Sequence, residues 1–406
     1  MKPVYLVVTP FFPKPDSFRG PFVLDQVKAI ERTGKYRVVV FKPCSLWHRQ
    51  QSYVYDGITV YYVPSFFTPS YIFNGFGGFL NGRSLLKQLH ILGVSLSDIA
   101  VVHVHTASFA CYATSLKKAN KNIKTVIQYH DPDPYQIRNG KWALWRPNAM
   151  YRANKLISQF KYIDLHLCIS KKVEYNLTHF PNPHPEECYD SYKHALNVVK
   201  DISTQQNLNT YVLYNGVDTS SFYTIKGLKD SSIFKIGCVA NFIDWKDQIT
   251  LIKAVELLVK NDQLEDIRVS FVGSGITKQE CLDYINDCGL QKYFTFEKET
   301  HHSELVKYYN TLDLFVLPSY FEGFGCVYTE AYACGVPFIG VYHQGAAELI
   351  APEERDKWLI QPHDYEQLSN LITDYYKNRS KQILIHPYNI DVLTKNYLNY
   401  LEKSLH

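Results

Sequence analysis

The sequence predicts an α/β protein built from two doubly wound domains. Short, unbroken apolar runs alternate with amphipathic stretches almost from end to end. Strands that are apolar on both faces belong to parallel sheets covered by helices. The pattern begins afresh in the second half, and at roughly 150 residues per domain the 406 residues suffice for two or three domains.

In the first half, strands are expected at VYLVV (4–8), YRVVVF (36–41), ITVYYV (58–63), IAVVHVH (99–105), TVIQYH (125–130) and LHLCIS (165–170). Helix-like stretches such as FVLDQVKAIERTG and SFACYATSLKKAN lie between several of them. The second half repeats the pattern with IFKIGCVA (233–240), RVSFVG (268–273), YFTFE (293–297), LFVLP (314–318) and PFIGV (337–341). Its helices are expected in ITLIKAVELLVKN, SELVKYYNTL and TEAYACG. A polar stretch with Gly and Ser, FYTIKGLKDSS at 222–232, marks the boundary. The expected domains are 1–222 and 223–387, with a helix-like segment 388–406 that packs back on the first. Residues 64–90 hold four glycines and two prolines among aromatics, too broken for a core element, and read as an irregular loop or linker. Residues 181–210, opening PNPHPEE, read as a polar insertion.

Composition excludes several classes. Hydrophobic residues at 46% and charged residues at 20% are ordinary for a globular chain, so disordered, collagen-like and coiled-coil readings fall away. No apolar run approaches the roughly 18 residues of a spanning helix. The opening MKPVYLVVTPFFPKP is stopped by Pro10 and reads as a buried strand rather than a secretory leader, so a cytoplasmic protein is expected. The nine cysteines are odd in number and lack any C-x-x-C, which fits reduced core thiols better than disulfides or zinc. Residues 1–200 carry 25 Lys and Arg against 12 Asp and Glu, a net +13, whereas residues 201–406 are net −9. A basic half suits an anionic surface or substrate. An anionic membrane surface is therefore one expected partner, on the inner face of the cytoplasmic membrane. Nucleic acid is not expected, because no recognised binding motif is present.

The densest chemical signal lies in PSYFEGFGCVYTEAYACGVPFIGVYHQGAAELI, residues 318–350. A strand runs into the turn Glu322-Gly323-Phe324-Gly325, and a helix then begins that carries Glu330, eight residues after Glu322. A glycine at a helix start lets a ligand approach backbone N–H groups that have no partner within the helix. Carboxylates on the order of 10 Å apart suit one polyhydroxylated ligand held at two ends.

This stretch resembles the Glu-x7-Glu motif of the retaining glycosyltransferases of family 4, which have the GT-B fold: two Rossmann-like domains facing across a cleft. The resemblance extends to Asn215-Gly216-Val217-Asp218, to Val239-Ala240-Asn241-Phe242 with Lys246, and to Val272-Gly273-Ser274-Gly275. It continues in His301 with Leu305 and Tyr309, and in Gly345 with Glu348. In the first half, Thr9 to Pro13, Gly20 with Val23 and Gln26, His103-Val104-His105, His130 and Ser170 stand in family-like contexts.

What the resemblance implies is a metal-independent, retaining transferase. Residues 1–222 would form the acceptor side and 223–387 would bind a UDP-, GDP- or ADP-sugar. No cofactor is implied, and the acceptor is a glycan or a lipid-linked acceptor of cell-surface polysaccharide or glycolipid synthesis. Glu330 would bind the ribose, Glu322 the transferred sugar, and Lys246 the diphosphate. Gly323, Phe324 and Gly325 would lie against the sugar, with Cys326 and Val327 also at the donor. Gly20 would approach the phosphates and His130 would line the sugar pocket. Many relatives carry an arginine where Asn241 stands, so neutralisation would rest more heavily on Lys246 and on backbone dipoles.

Other readings carry less. Asp131-Pro132-Asp133 spells D-x-D, a metal-binding pattern in a different glycosyltransferase fold, but the flanking prolines read as a turn. His103 and His105 share one face of their strand, lining a site or serving the core. One of His301 and His302 is a candidate donor-side contact. No P-loop or dinucleotide fingerprint is present. A nucleotide-sugar epimerase or hydrolase on the same fold, and a non-catalytic sugar-binding scaffold, are the alternative functions.

Overall fold

Runs of β-branched and aromatic residues that are apolar on both faces pair into parallel strands. The computed structural model of the protein describes residues 2–14, 20–48, 50–67, 77–130, 137–138, 141–142, 146–179, 207–261, 264–386 and 388–404. The chain forms two units, Met1–Tyr214 with Asp391–His406, and Asn215–Ile390.

The first unit contains β1 (Val4–Val8), α1 (Pro21–Arg32), β2 (Arg37–Ser45), β3 (Tyr53–Tyr55), β4 (Ile58–Ser65), α2 (Gly78–Ile91), β5 (Ile99–His105) and α3 (Ala110–Ala119). There follow β6 (Lys124–Tyr129), β7 (Ile137–Arg138), β8 (Lys141–Trp142), α4 (Arg146–Ile157), β9 (Leu165–Cys168), α5 (Lys171–His179) and β10 (Thr210–Val212). Its eight-stranded sheet has the order β10-β9-β6-β5-β1-β2-β4-β3, parallel throughout except for the β3–β4 hairpin. Strand β1 is wholly buried. The chain adds strands on one side of β1 and then returns to add β5 on the other, so the strand order reverses between β1 and β5.

The second unit contains β11 (Phe234–Val239), α6 (Gln248–Lys260), β12 (Ile267–Val272), α7 (Lys278–Asp287), β13 (Phe294–Glu297), α8 (Leu305–Tyr309) and β14 (Leu314–Val316). It continues through α9 (Cys326–Ala333), β15 (Phe338–Val341), α10 (Arg355–Trp358), β16 (Leu359–Ile360) and α11 (Tyr365–Lys377). All six strands are parallel, in the order β13-β12-β11-β14-β15-β16, which reverses between β11 and β14. In open α/β sheets such a reversal opens a crevice at the carboxyl ends of the two strands, where ligands bind.

The division at Tyr214 falls ahead of the 222/223 boundary expected from composition. The reason is packing: Val217 and Phe222 are buried in the second unit's core. Helix α12 (Ile390–Lys403) runs into the first unit. Its Tyr397, Leu398 and Leu401 join that unit's core beside Tyr5, Val101 and Val126. Ion pairs from Arg32 to Asp391 and from Lys35 to Glu402 tie down its exposed face.

One sequence expectation fails. Residues 64–90 read as an irregular stretch, yet from Gly78 onward they belong to the fourteen-residue helix α2, with Leu85 and Leu89 buried. One of the glycines that suggested a loop, Gly82, serves packing instead. A Cβ on Gly82 would lie 1.7 Å from Ser115 Oγ on α3, so its absence lets the two helices approach closely. The D-x-D residues Asp131 and Asp133 lie outside the described residues, as does most of the 181–210 segment. None of the eight described cysteines is in a disulfide. Among the described residues no helix is long and apolar enough to cross a membrane.

Candidate active site

The crevice of the second unit is built by the segments that leave β11 and β14. After β11 the chain passes Asn241, makes a single 3₁₀ turn at Asp244–Lys246, and enters α6. After β14 it runs through Ser319, Tyr320 and Phe321 to Glu322, and α9 begins after Gly325. Two hydrogen bonds lace the segments together: Ser319 Oγ donates to the Trp245 carbonyl at 2.9 Å, and the Tyr320 N–H donates to the same oxygen at 3.0 Å.

Lys246 and Glu322 consequently meet. The Lys246 ammonium donates directly to Glu322 Oε2. Their side chains retain 17% and 15% of their exposure, so the pair is sheltered but reachable. Glu322 is fixed from behind as well, because its N–H donates to Oε1 of the buried Gln344 at 2.7 Å. Gly325 adopts φ 85° as the residue preceding α9, a conformation that favours glycine, and this turns the Glu322–Gly325 backbone into the helix. Cys326 and Val327 occupy the first turn of α9, where backbone N–H groups lack helical acceptors.

Glu330 stands one and a half turns into α9 and is almost fully buried. Its Oε1 lies 3.0 Å from His302 Nε2, and its Oε2 accepts a 2.8 Å hydrogen bond from the Tyr309 hydroxyl. Each carboxylate oxygen has two lone pairs, so both oxygens keep capacity for another donor. Burial and then the Glu330 charge push the Tyr309 hydroxyl well above its ordinary pKa, which keeps it a donor. The Phe324 side chain is buried at 1% exposure, so the outward chemistry of the 322–325 turn is that of its backbone and of Glu322. Asn241 is exposed, and its carbonyl is held by the Gln248 side chain at 3.0 Å.

Two sequence-selected residues belong to the first unit. Gly20 precedes α1 with φ 88°, and a Cβ there would lie 2.6 Å from the Phe11 carbonyl carbon. The segment after β1 is thereby folded against the start of α1. His130 follows β6 and forms the end of a histidine row on neighbouring strands. Its Nε2 is 2.9 Å from His105 Nδ1, and the two rings stack at 5.2 Å. His105 stacks in turn on His103 at 4.6 Å. Burial pushes His103 and His130 down to about 3, and His105 well below its usual value. The His130 Nδ1 is buried and has no hydrogen-bond partner among the described residues.

Sequence reasoning missed Gln344 and Trp245, and gave Tyr309 no role. Gln344 sits in the HQGAAEL segment with nothing in its spacing to single it out; only the fold brings it to Glu322. Tyr309 is among the residues that carry the resemblance, but its hydroxyl partner lies on another helix, which spacing along the chain does not reveal.

Two doubly wound sheets, the second with a cation and a carboxylate at its reversal point, define the GT-B class of α/β proteins. A family model for glycosyl transferases group 1 matches residues 223–389, and one for Glycosyltransferase Family 4 matches residues 21–186. The chain is a GT-B protein similar to the family-4 glycosyltransferases, the two models matching its two halves in turn. It is 28% identical over 167 residues to D-inositol 3-phosphate glycosyltransferase of Mycobacteroides abscessus, covering 40% of this chain and 38% of that protein. Alignments thus span about two fifths of the length of these curated relatives. Among solved structures, sucrose-phosphate synthase of Thermosynechococcus elongatus superposes with a TM-score of 0.68 at 17% identity, over 100% of this chain and 95% of that one. Anabaena HepE, in complex with UDP and glucose, superposes with a TM-score of 0.65 at 16% identity, over 98% and 99%.

Proposed function

We propose that the protein is a retaining glycosyltransferase. It moves a sugar from a UDP-, GDP- or ADP-sugar to a hydroxyl of a glycan or lipid-linked acceptor in cell-surface polysaccharide or glycolipid synthesis. The observation that carries this reading is the Lys246–Glu322 pair at the carboxyl ends of β11 and β14, with Glu330 on the helix that follows. The UDP and glucose bound by the structurally similar HepE support a nucleotide-sugar donor.

Breaking a sugar–phosphate bond gathers charge on a diphosphate oxygen while the ring becomes cation-like. The Lys246 ammonium and the N–H groups that open α9, including those of Cys326 and Val327, stabilise that leaving charge without a bound metal. Glu322 faces the sugar hydroxyls, and the free lone pairs of Glu330 accept from the ribose. Gly323, Phe324 and Gly325 offer backbone to the sugar, and Asn241 an uncharged donor to the phosphates. On the first unit, Gly20 is assigned to the phosphates and His130 to the sugar, through an Nδ1 that has no partner among the described residues.

A panel of UDP-, GDP- and ADP-sugars, assayed for nucleotide release with and without candidate acceptors and with excess chelator, tests the reading. Acceptor-dependent release that survives the chelator and retains the anomeric configuration is expected. Release without any acceptor would favour an epimerase or hydrolase, and failure to bind any donor would favour a scaffold.

A second observation favours membrane association of the basic half. Leu46, Trp47, Phe67, Phe79 and Leu80 are exposed, Trp47 at 83%. They share one rim: the Leu46 N–H bonds the Ser65 carbonyl at 3.1 Å, and the Phe66 N–H bonds Asn81 Oδ1 on α2 at 2.6 Å. The Arg83 guanidinium lies 5.4 Å over the Phe79 ring. Exposed aromatics with adjacent cations fit the interface of an anionic bilayer on the cytoplasmic side, where each Lys or Arg contributes about 1 kcal/mol. Co-sedimentation with anionic vesicles, weakened by salt and by Trp47→Ser, is expected; equal recovery from neutral vesicles ends the idea.

A further inference from the structure

Lys246 is followed not by a residue free to turn but by Asp247, which adopts φ 52°. The left-handed region disfavours side chains, although Asp, Asn and His tolerate it better than most. Asp247 carries a carboxylate that is only 4% exposed and that accepts from Thr250 Oγ1 at 2.8 Å. A buried carboxylate needs further donors. The second comes from a distant loop: His363, between β16 and α11, places its Nδ1 2.8 Å from Asp247 Oδ2. His363 is itself at φ 64°, so two left-handed non-glycine residues are joined side chain to side chain. Backbone conformations of this kind persist where surrounding contacts over-determine them, and they cluster at working sites.

His363 also reaches the other crevice segment. Its ring lies 4.6 Å from the ring of Tyr320, whose N–H is bonded to the Trp245 carbonyl. One imidazole thus touches both the turn that aims Lys246 and the segment that leads to Glu322.

We propose that His363 is a positioning residue, a clamp from a third loop that holds the Lys246 and Glu322 segments in register for the nucleoside diphosphate. The inference rests on the role given to Lys246 above. The groups facing the imidazole are Asp247 at the start of α6, Lys253 on the same helix and the Tyr320 ring, while Asp364 beside it is turned to the Gln367 N–H. The hydrogen bond to Asp247 and its charge raise the His363 pKa above the ordinary value, against burial and Lys253. The charged clamp is therefore complete below about pH 6.5 and is lost as pH rises through the raised value.

Calorimetric titration with UDP, GDP and ADP tests the clamp on wild type, His363→Ala, His363→Asn and Lys246→Ala. Asn tolerates positive φ and presents an amide N–H near the position of Nδ1. His363→Ala is expected to bind the preferred diphosphate roughly ten- to a hundredfold more weakly, the scale of one charged hydrogen bond. His363→Asn is expected to recover most of that loss, and to lack the decline in affinity that wild type shows above neutral pH. Wild-type affinity in His363→Ala overturns the clamp, as does an Asn variant as weak as the Ala one or identical pH profiles for wild type and the Asn variant. Undiminished affinity in Lys246→Ala would instead sink the reading beneath it.

Discussion

The hydroxyl of Tyr309 donates to Oε2 of Glu330 at 2.8 Å, from a side chain that is wholly buried to one that is nearly so. Without this donor the buried carboxylate would keep, among the described residues, only the His302 contact and bear more of its desolvation cost. Tyr309→Phe removes the donor and keeps the ring among Phe222, Tyr308 and Phe315. The expected loss is about 1.5–3 kcal/mol of stability in the second unit, read from its urea midpoint at unchanged slope. Glu330→Ala should in addition weaken binding of the preferred nucleoside diphosphate by about tenfold or more. Unchanged affinity would mean that the nucleoside end has been misplaced.

Acid should act first on the other unit. His103, His130 and His166 are each pushed by burial to about 3, and His105 is lowered too. The folded state therefore keeps them neutral while the unfolded chain takes up protons below about pH 6.5. Stability is complete above that value and falls as pH drops toward about 3, by as much as about 1.4 kcal/mol per pH unit for each histidine. The thermal transition of the first unit should shift down between pH 7 and pH 5. His166→Asn, which leaves the row of His103, His105 and His130 intact, should flatten the shift. A transition temperature constant over that range would contradict the buried, neutral state of these rings.

Much of this was legible in the sequence, for a physical reason. Strands covered on both faces are largely apolar, so β1, β5, β11 and β12 announce themselves as apolar runs, broken only by His103 and His105 in β5, Lys235 in β11, and Arg268 and Ser270 in β12. The Glu322–Glu330 spacing on a glycine-led helix was equally visible. What was hidden depends on partners far apart in the chain. Asp247 with His363 and Glu322 with Gln344 are joined by loops whose meeting only the sheet order decides. Helix α2 was missed because glycine is a loop signal in isolation and a packing device against a neighbour.

That packing device can be tested. A methyl on Gly82 would lie 1.7 Å from Ser115 Oγ and 2.4 Å from its Cβ, so α2 or α3 must shift. Gly82→Ala gains intrinsic helix propensity, worth about 1 kcal/mol, yet should destabilise by about 1–3 kcal/mol because overpacking dominates. The double variant Gly82→Ala with Ser115→Gly restores the space and should recover much of the loss, a coupling that urea unfolding of the double-mutant cycle resolves. Additive single effects would show that the two helices are not in register here.

Lys246→Ala distinguishes a working cation from a structural one. If the ammonium serves only to neutralise Glu322, its removal strands a sheltered carboxylate and costs stability, and Glu322→Gln in the same chain should repair the damage. If it stabilises the departing diphosphate, the turnover defect must survive that repair, because no other group in the pair carries positive charge to the phosphates. The expected result is a loss of about a hundred- to a thousandfold in kcat for Lys246→Ala, measured as acceptor-dependent nucleotide release. The double variant should be no faster, even where its melting temperature returns toward wild type. Near-normal turnover in the single variant would count against the assigned role. Turnover restored by Glu322→Gln would make Lys246 a structural counter-ion, and the leaving-group charge would then fall to the N–H groups at the start of α9.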